Sequence, residues 1–389
     1  MEKEALDLSQ SVDRRPSDMS DSRGRSVSYI PTLDGWRAIA ILLVMLSHLG
    51  TAFYSQATEY WSHSPARFGV IGVPIFFGIS GFLITALLLK EFQTRHRISL
   101  KAFYIRRCFR ILPPLFVYVL VVGALGLIAT RAELVASFLF FRNYLPDRLA
   151  DVYTAHLWSL SIEEHFYLLW PITLCALLRL RKLLLPTAAI ALILGIWGVI
   201  DLHLGLLHRI APVLDTPTRT DLRLAGLVWG CAAGIIFQNA RMRQTAVQYL
   251  RLPVFIAAFL LLAGSQVITI HLASIWAPAL IPILILGTVI QSKWKLSAIL
   301  EWPALRWIGR ISYSLYLWQQ LFLVPKWHGH PFPLVQTLPL SLLLPFACAA
   351  ASHVWIEQPA IRLGRRLAQR VTIKPLAIVA QTGGTVEAA

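Results

Sequence analysis

The chain has 389 residues, 56% of them hydrophobic and only 14% charged, and its 36 Lys and Arg against 20 Asp and Glu give a formal net charge of +16. A soluble globular domain carries nearer a quarter charged residues, so a mean hydropathy of +0.61 assigns most of this chain to lipid or to other membrane helices. The basic excess then reads as the positive-inside bias of a multi-pass membrane protein, which leaves nucleic acid out of the reading.

Residues 1–29 mix Asp, Ser and Arg with few apolar side chains, the composition of a disordered tail. They hold no apolar core followed by a small-residue cleavage site, so the first helix is expected to stay uncleaved. Apolar runs long enough to cross a bilayer core of ~30 Å follow near 34–53, 70–89, 111–130, 158–178, 184–203, 223–238, 252–270, 272–290, 310–327 and 335–355. The seventh and eighth are separated only by a tight turn at His271. Each run is expected to be helical, because lipid offers an isolated segment no other way to satisfy its backbone. The expectation is an all-α membrane protein of about ten transmembrane helices, with a tail at 1–29, a membrane domain at 30–363 and a second tail at 364–389.

Loop charge sets the orientation. Lys90, Arg95, Arg97, Lys101, Arg106, Arg107 and Arg110 follow the second run, and Arg179, Arg181 and Lys182 the fourth. Arg241 and Arg243, Lys293 and Lys295, and Arg362, Arg365 and Arg366 follow later even-numbered runs, whereas the 131–157 loop mixes signs. Both termini are therefore expected in the cytoplasm. No stretch is left for a soluble domain, so chemistry is expected within the bundle or at its edges. The four cysteines, Cys108, Cys175, Cys231 and Cys348, are scattered, with neither disulfide nor metal-ligand spacing, and read as small buried apolar residues; no metal site is expected.

The stretch Leu33 to Gly50 carries Arg37 near its start and His48 near its end. At about 100° per residue they lie roughly 20° apart around the axis and about 16 Å apart along it. Each is costly in hydrocarbon. Arg37 reads either as a snorkelling residue paired with Asp34 or as an inward phosphate ligand. His48 reads either as a hydrogen-bonded core residue or as a base able to take a proton from a hydroxyl.

In HLWSLSIEEHFYLLWP, Glu163 shares a face with Ser159 and Tyr167, a polar stripe suited to the bundle interior. Glu163 could orient the His48 imidazole; the plainer role for it and for Glu164 is to complement a helix N-terminus. In GVPIFFGISGFLIT, Gly78, Ser80 and Gly81 suit close helix approach or a local break, with Ser80 as a candidate to hold a thioester. FYIRRCFRILPP is amphipathic, its Arg106, Arg107 and Arg110 serving either anionic lipid or a polyphosphate ligand. Arg223 begins a Gly-rich run, and Ser312, Tyr316 and Gln319 lie near one face of a later helix and could line a cavity.

These stretches, with DLRLAGLVWG, IGRISYSLYLW and HVWIEQP, stand in an order and spacing that resembles the integral-membrane acyltransferase family 3, which includes bacterial polysaccharide O-acetyltransferases. The resemblance covers about residues 31–363, and the family's arginine–ten residues–histidine signature falls on Arg37 and His48. Departures are His165 where glutamine is usual, Pro74 where a polar residue often sits, Gln319 for a frequent histidine and Leu321 for a proline.

What the resemblance implies is transfer of an acyl group, usually acetyl, from acetyl-CoA to a hydroxyl of a carbohydrate or lipid-linked glycan, in the bacterial inner membrane. Arg37, Arg106, Arg107, Arg110 and Ser80 would then bind the donor, His48 and Glu163 would be catalytic, and Glu164, Arg223, Tyr316 and Gln319 would meet the acceptor. Direct transfer and an acyl-histidine intermediate both stay open, as do the acceptor's identity and a homodimer. No appended hydrolase-like domain is seen, so the membrane domain alone or a partner would complete the transfer. The competing reading is a transporter or flippase for polysaccharide intermediates, which would move substrate without consuming acyl-CoA.

Overall fold

A computed structural model describes residues 29–51, 69–267, 273–328 and 331–372, and among them all regular structure is helical. The main helices are α1 (Pro31–Thr51), α2 (Gly72–Arg95), α3 (Leu100–Ala124), α4 (Leu157–Arg179), α5 (Leu184–Leu204) and α6 (Thr220–Gln238). They continue with α7 (Leu252–Val267), α8 (Ala273–Ile290), α9 (Pro303–Phe322), α10 (Leu340–Ser352) and α11 (Gln358–Thr372). A π-helical turn at His353–Glu357 joins the last two into one rod. Most of the expected 1–29 tail, the turn at His271 and residues 373–389 lie outside the described residues.

Among the described residues six segments are long and apolar enough to cross a bilayer: α1, α2, α3, α5, α6 and the α10–α11 rod. A seventh is reached if the helix Ala240–Tyr249 and α7, bent by 81°, count as one span. That is fewer than the ten runs expected. Each of the other runs holds a helix among the described residues, but α8 is short and α4 and α9 carry polar side chains through their length. Both of those help to line the site described below.

Close backbone contacts fix the helix directions. A Cβ added at Gly81 would lie 1.9 Å from the Leu227 carbonyl oxygen, and one at Gly230 2.5 Å from that of Gly78. The glycines thus let α2 and α6 touch backbone to backbone, as small residues do in lipid. Gly72 packs on Ala40 and Gly69 on Leu43, so α1 and α2 are antiparallel. Trp170 donates to Thr85 at 2.8 Å, and Ser80 to Glu163 at 3.2 Å, so α4 runs with α2. Gly309 abuts Asp34 and Gln319 reaches His48, so α9 runs with α1. Tyr104 donates to the Leu168 carbonyl and Tyr118 to that of Tyr153, which sets α3 against α4.

FYIRRCFRILPP forms the first half of α3 and is continuous with its apolar half, the prolines Pro113 and Pro114 lying within the helix. The 131–157 segment is built of short helices around the buried Glu133, which accepts from the backbone N–H of Ala129 at 2.7 Å and of Asp151 at 3.0 Å, and from the Thr154 hydroxyl. This cap holds the residues that lead into α4. All four cysteines are free; Cys231 is buried as expected, whereas Cys108 is exposed on α3.

Candidate active site

A cavity of about 90 Å³ lies among α1, α2, α3, α4 and α9. Its polar lining comes from Arg37, Ser80, Arg107, Arg110, Glu163 and Tyr316, together with Ser159, Tyr167, Ser312 and Tyr313. Helical periodicity explains the convergence. Ser159, Glu163 and Tyr167 follow one another at four-residue spacing on α4, and Ser312 and Tyr316 do the same on α9. Arg107 and Arg110 are three apart on α3, so both turn to the cavity while Arg106 does not.

Within the cavity Ser80 donates to Glu163 Oε1 at 3.2 Å and Tyr167 to Oε2 at 2.7 Å, with the Tyr167 and Ser80 oxygens 3.1 Å apart. Arg107 lies over the Tyr167 ring, 4.9 Å from its centroid, a cation–π contact that keeps the charge facing inward. Arg37 reaches Asp34 at 3.3 Å. The like charge of Arg110 presses on both Arg37 and Arg107. The lining thus holds three guanidinium groups to one carboxyl group, Glu163, with Asp34 beside Arg37 and Glu164 acting on Arg107 from outside it, and such an excess in a low-dielectric setting calls for an anion.

His48 stands at the far end of α1 from Arg37, outside the cavity lining. Its Nδ1 is 2.7 Å from Gln319 Oε1. One turn earlier on α9, Tyr316 donates to the His156 carbonyl at 2.7 Å, and its oxygen lies 2.6 Å from Ser159 Oγ. The Tyr316–Gln319 turn therefore links the cavity to His48.

Several expected site residues lie elsewhere. Glu163 does not support His48; Gln319 holds that position, because Glu163 sits two turns into α4 at the level of Ser80 and Tyr167. Gln319 is consequently a partner of His48 and not a cavity-lining residue. Arg106 points away and pairs with Glu91 at 3.6 Å, its side chain 40% exposed. Glu164, about 100° round the helix from Glu163, is absent from the lining, and its buried Oε1 has no hydrogen-bond partner. Arg223 lies over the Trp158 ring at 5.8 Å and donates to the Pro217 carbonyl at 3.1 Å, also outside the cavity. His165, where glutamine is usual, places Nδ1 2.8 Å from Thr220 Oγ1.

The Tyr167 contact with Glu163 was accessible from the i, i+4 spacing, but the stacking of Arg107 on its ring was not. The burial of His156 between two tyrosines also escaped the sequence, since those rings come from α3 and α9. Among the described residues no cluster of His, Cys, Asp or Glu could hold a metal ion.

The fold and the cavity define a multi-pass helical membrane protein with a buried, cation-rich site. Residues 30–356 match the acyltransferase domain model, and the chain belongs to that acyltransferase family. It is 29% identical over 327 residues to the peptidoglycan O-acetyltransferase OatA of Listeria monocytogenes, covering 75% of this chain and 49% of that one. A Staphylococcus aureus protein provisionally named an O-acetyltransferase is 30% identical over 322 residues, 76% of this chain and 50% of its own. YrhL of Bacillus subtilis, provisionally named for peptidoglycan O-acetylation, is 27% identical over 378 residues, 89% and 57% of the two chains. The chain thus spans about half the length of the curated relatives it matches. No solved structure matches it.

Proposed function

We propose that this protein is a membrane O-acyltransferase that moves an acyl group, acetyl in the simplest case, from an acyl-CoA thioester to a glycan hydroxyl. The observation that carries the reading is the pairing, along one helix, of an arginine facing a cationic cavity with a histidine held by a neutral amide. Arg37, Arg107 and Arg110 would bind the phosphates of the donor, since guanidinium groups recognise phosphate in bidentate fashion. The space in the cavity suits a diphosphate or a short acyl chain. The rest of the donor would extend beyond it, the pantetheine arm lying along α1 past the Tyr316–Gln319 turn toward His48.

Gln319 Oε1 can only accept, so it selects the His48 tautomer with the proton on Nδ1 and leaves Nε2 as the base. That nitrogen would take the proton of the acceptor hydroxyl as the hydroxyl oxygen attacks the thioester carbonyl, and return it to the departing thiolate. General-base action of this kind contributes about 10²–10⁴-fold. Attack by Nε2 itself, giving an acyl-histidine, uses the same geometry. The alternating helix directions support a bundle in which all ten runs cross, both ends cytoplasmic, with donor phosphates on the basic inner side of a bacterial inner membrane. The names of the relatives favour a cell-wall glycan as acceptor.

Purified protein in lipid nanodiscs, given labelled acetyl-CoA and a chitooligosaccharide, tests the reading. His48→Ala is expected to lower transfer by about 10²–10⁴-fold while still binding acetyl-CoA. Wild-type transfer by that variant would overturn the proposal.

A further inference from the structure

His156 ends the cap and precedes the first residue of α4. It is 3% exposed, and neither ring nitrogen has a hydrogen-bond partner in the protein. Its ring is held between Tyr118 and Tyr316, both with centroids 5.3 Å away, at interplanar angles of 86° and 60°. Its carbonyl accepts from Tyr316 at 2.7 Å and from Ser159 at 3.4 Å, so backbone and ring are both fixed. Burying a polar nitrogen without a partner costs about 1–3 kcal/mol. A phenylalanine would fill the same slot between two tyrosines without that cost, so packing alone does not account for an imidazole here.

The two histidines meet at one turn of α9: Gln319 holds the His48 ring, and Tyr316 holds the His156 backbone and flanks its ring. The charge of His48 is felt at His156. Resting on the transfer reaction proposed above, we propose that His156 is a second catalytic residue, whose ring N–H donates a hydrogen bond to the carbonyl oxygen of the acyl thioester as it becomes an oxyanion.

The assignment of roles follows from electrostatics. When His48 takes the hydroxyl proton it becomes a cation, and a second imidazole within its electrostatic reach is then disfavoured from charging. Burial, followed by His48 and Arg142, holds the His156 imidazole well below its ordinary pKa range. A neutral imidazole keeps one N–H, and a fixed N–H donor aimed at developing negative charge is effective where water is excluded. The step balances. The C–O bond of the ester forms as the hydroxyl proton passes to His48 and the carbonyl electrons move to the oxygen held by His156. Collapse of that oxyanion breaks the C–S bond, and the thiolate leaves with the proton from His48.

The test uses the full chain in nanodiscs with two donors, acetyl-CoA and p-nitrophenyl acetate, and a chitooligosaccharide acceptor. The second donor makes the result independent of CoA recognition. His156→Phe keeps the aromatic packing and is expected to lower kcat by about 10²–10³-fold with either donor. Its Kd for acetyl-CoA should stay at the wild-type value, and its melting temperature should lie at or above the wild-type value because the unpartnered ring nitrogens are gone. His156→Gln, which restores an N–H, should recover about tenfold of the loss. A His156→Phe kcat within about threefold of wild type, or a loss matched by lost acetyl-CoA binding, would overturn the inference. Should His156→Phe not fold, His156→Leu, which also lacks ring nitrogens, is read by the same criteria. A parallel His48→Ala sample separates the levels. If it transfers acetyl normally the parent reaction fails; if it is inactive while His156→Phe is normal, only the role of His156 fails.

Discussion

Two groups of buried arginines in this molecule behave in opposite ways. Just before α6, Arg219 is fully enclosed and meets Asp201 at 2.8 Å, Asp215 at 2.7 Å and Asp221 at 2.8 Å. Asp221 also accepts from Trp197 at 2.7 Å, and Asp201 from the backbone N–H of Leu207 at 2.9 Å. The hydrogen bonds that Arg219 donates to Asp221, and then to Asp201, raise its guanidinium above its ordinary pKa range. Around the cavity the ratio is reversed, with Arg37, Arg107 and Arg110 sharing Asp34 and Glu163. A cation with surplus carboxylates is a fastening, here tying the 205–219 connection to α5 and α6. Cations with too few carboxylates form a site for an anion that arrives from outside. The number of arginines says little; their pairing separates structure from function.

The largest test of this contrast is Arg219→Ala. It leaves three carboxylates facing one another, two of them about a third exposed, so the cost is put at about 3 kcal/mol, the lower end for breaking a buried pair. Thermal melting of the purified protein should fall accordingly, while the affinity of folded protein for acetyl-CoA is unchanged. An unchanged melting temperature would remove the distinction between the two clusters.

Arg110→Ala should do the reverse. Relieving like-charge repulsion leaves the ligand-free protein as stable as wild type or slightly more so. Losing one charge-assisted phosphate contact should raise the Kd for acetyl-CoA by about 10–100-fold, the equivalent of about 1.5–3 kcal/mol. Isothermal titration and a melting curve on the same sample check both signs. A variant that melts earlier and binds normally would class Arg110 with Arg219.

Glu163→Gln sharpens the comparison from the anionic side. Removing the carboxylate charge while keeping one oxygen to accept from Ser80 or Tyr167, and an NH2 that the other hydroxyl can accept from, should tighten acetyl-CoA binding by about tenfold or less, and the gain should shrink at high salt to the extent that solvent reaches the site. Weaker binding by this variant would mean that the carboxylate itself positions the ligand.

The sequence made the apolar runs, the Arg37–His48 alignment and the Ser159–Glu163–Tyr167 stripe readable, because each follows from a period within one helix. It did not disclose which partner a polar residue takes on another helix. His48 and Gln319 are 271 residues apart, as are no two residues of any periodic motif, and the sequence offered Glu163 in place of Gln319 because a carboxylate is the commoner companion of a histidine. The span count is legible only in part for a related reason. α4 and α9 read as apolar runs but carry the polar groups of the site, so the helices most concerned with function resemble membrane spans least.

Arg106 gives the smallest effect and the finest distinction. In the sequence it is one of three arginines in FYIRRCFRILPP, with nothing to set it apart from its neighbours. In the fold it lies one helical step outside the cavity-facing pair and forms an exposed contact with Glu91, which also accepts from the backbone N–H of Ser99 at 3.1 Å. An exposed ion pair of that kind contributes about 0–1 kcal/mol. Arg106→Ala is therefore expected to shift the melting temperature little and to leave acetyl-CoA affinity at the wild-type value, while Arg107→Ala and Arg110→Ala lose it. If Arg106→Ala weakened binding as much as they do, the ligand would be reading the basic surface of α3 and not the cavity, and the unbalanced arginines within would need another explanation.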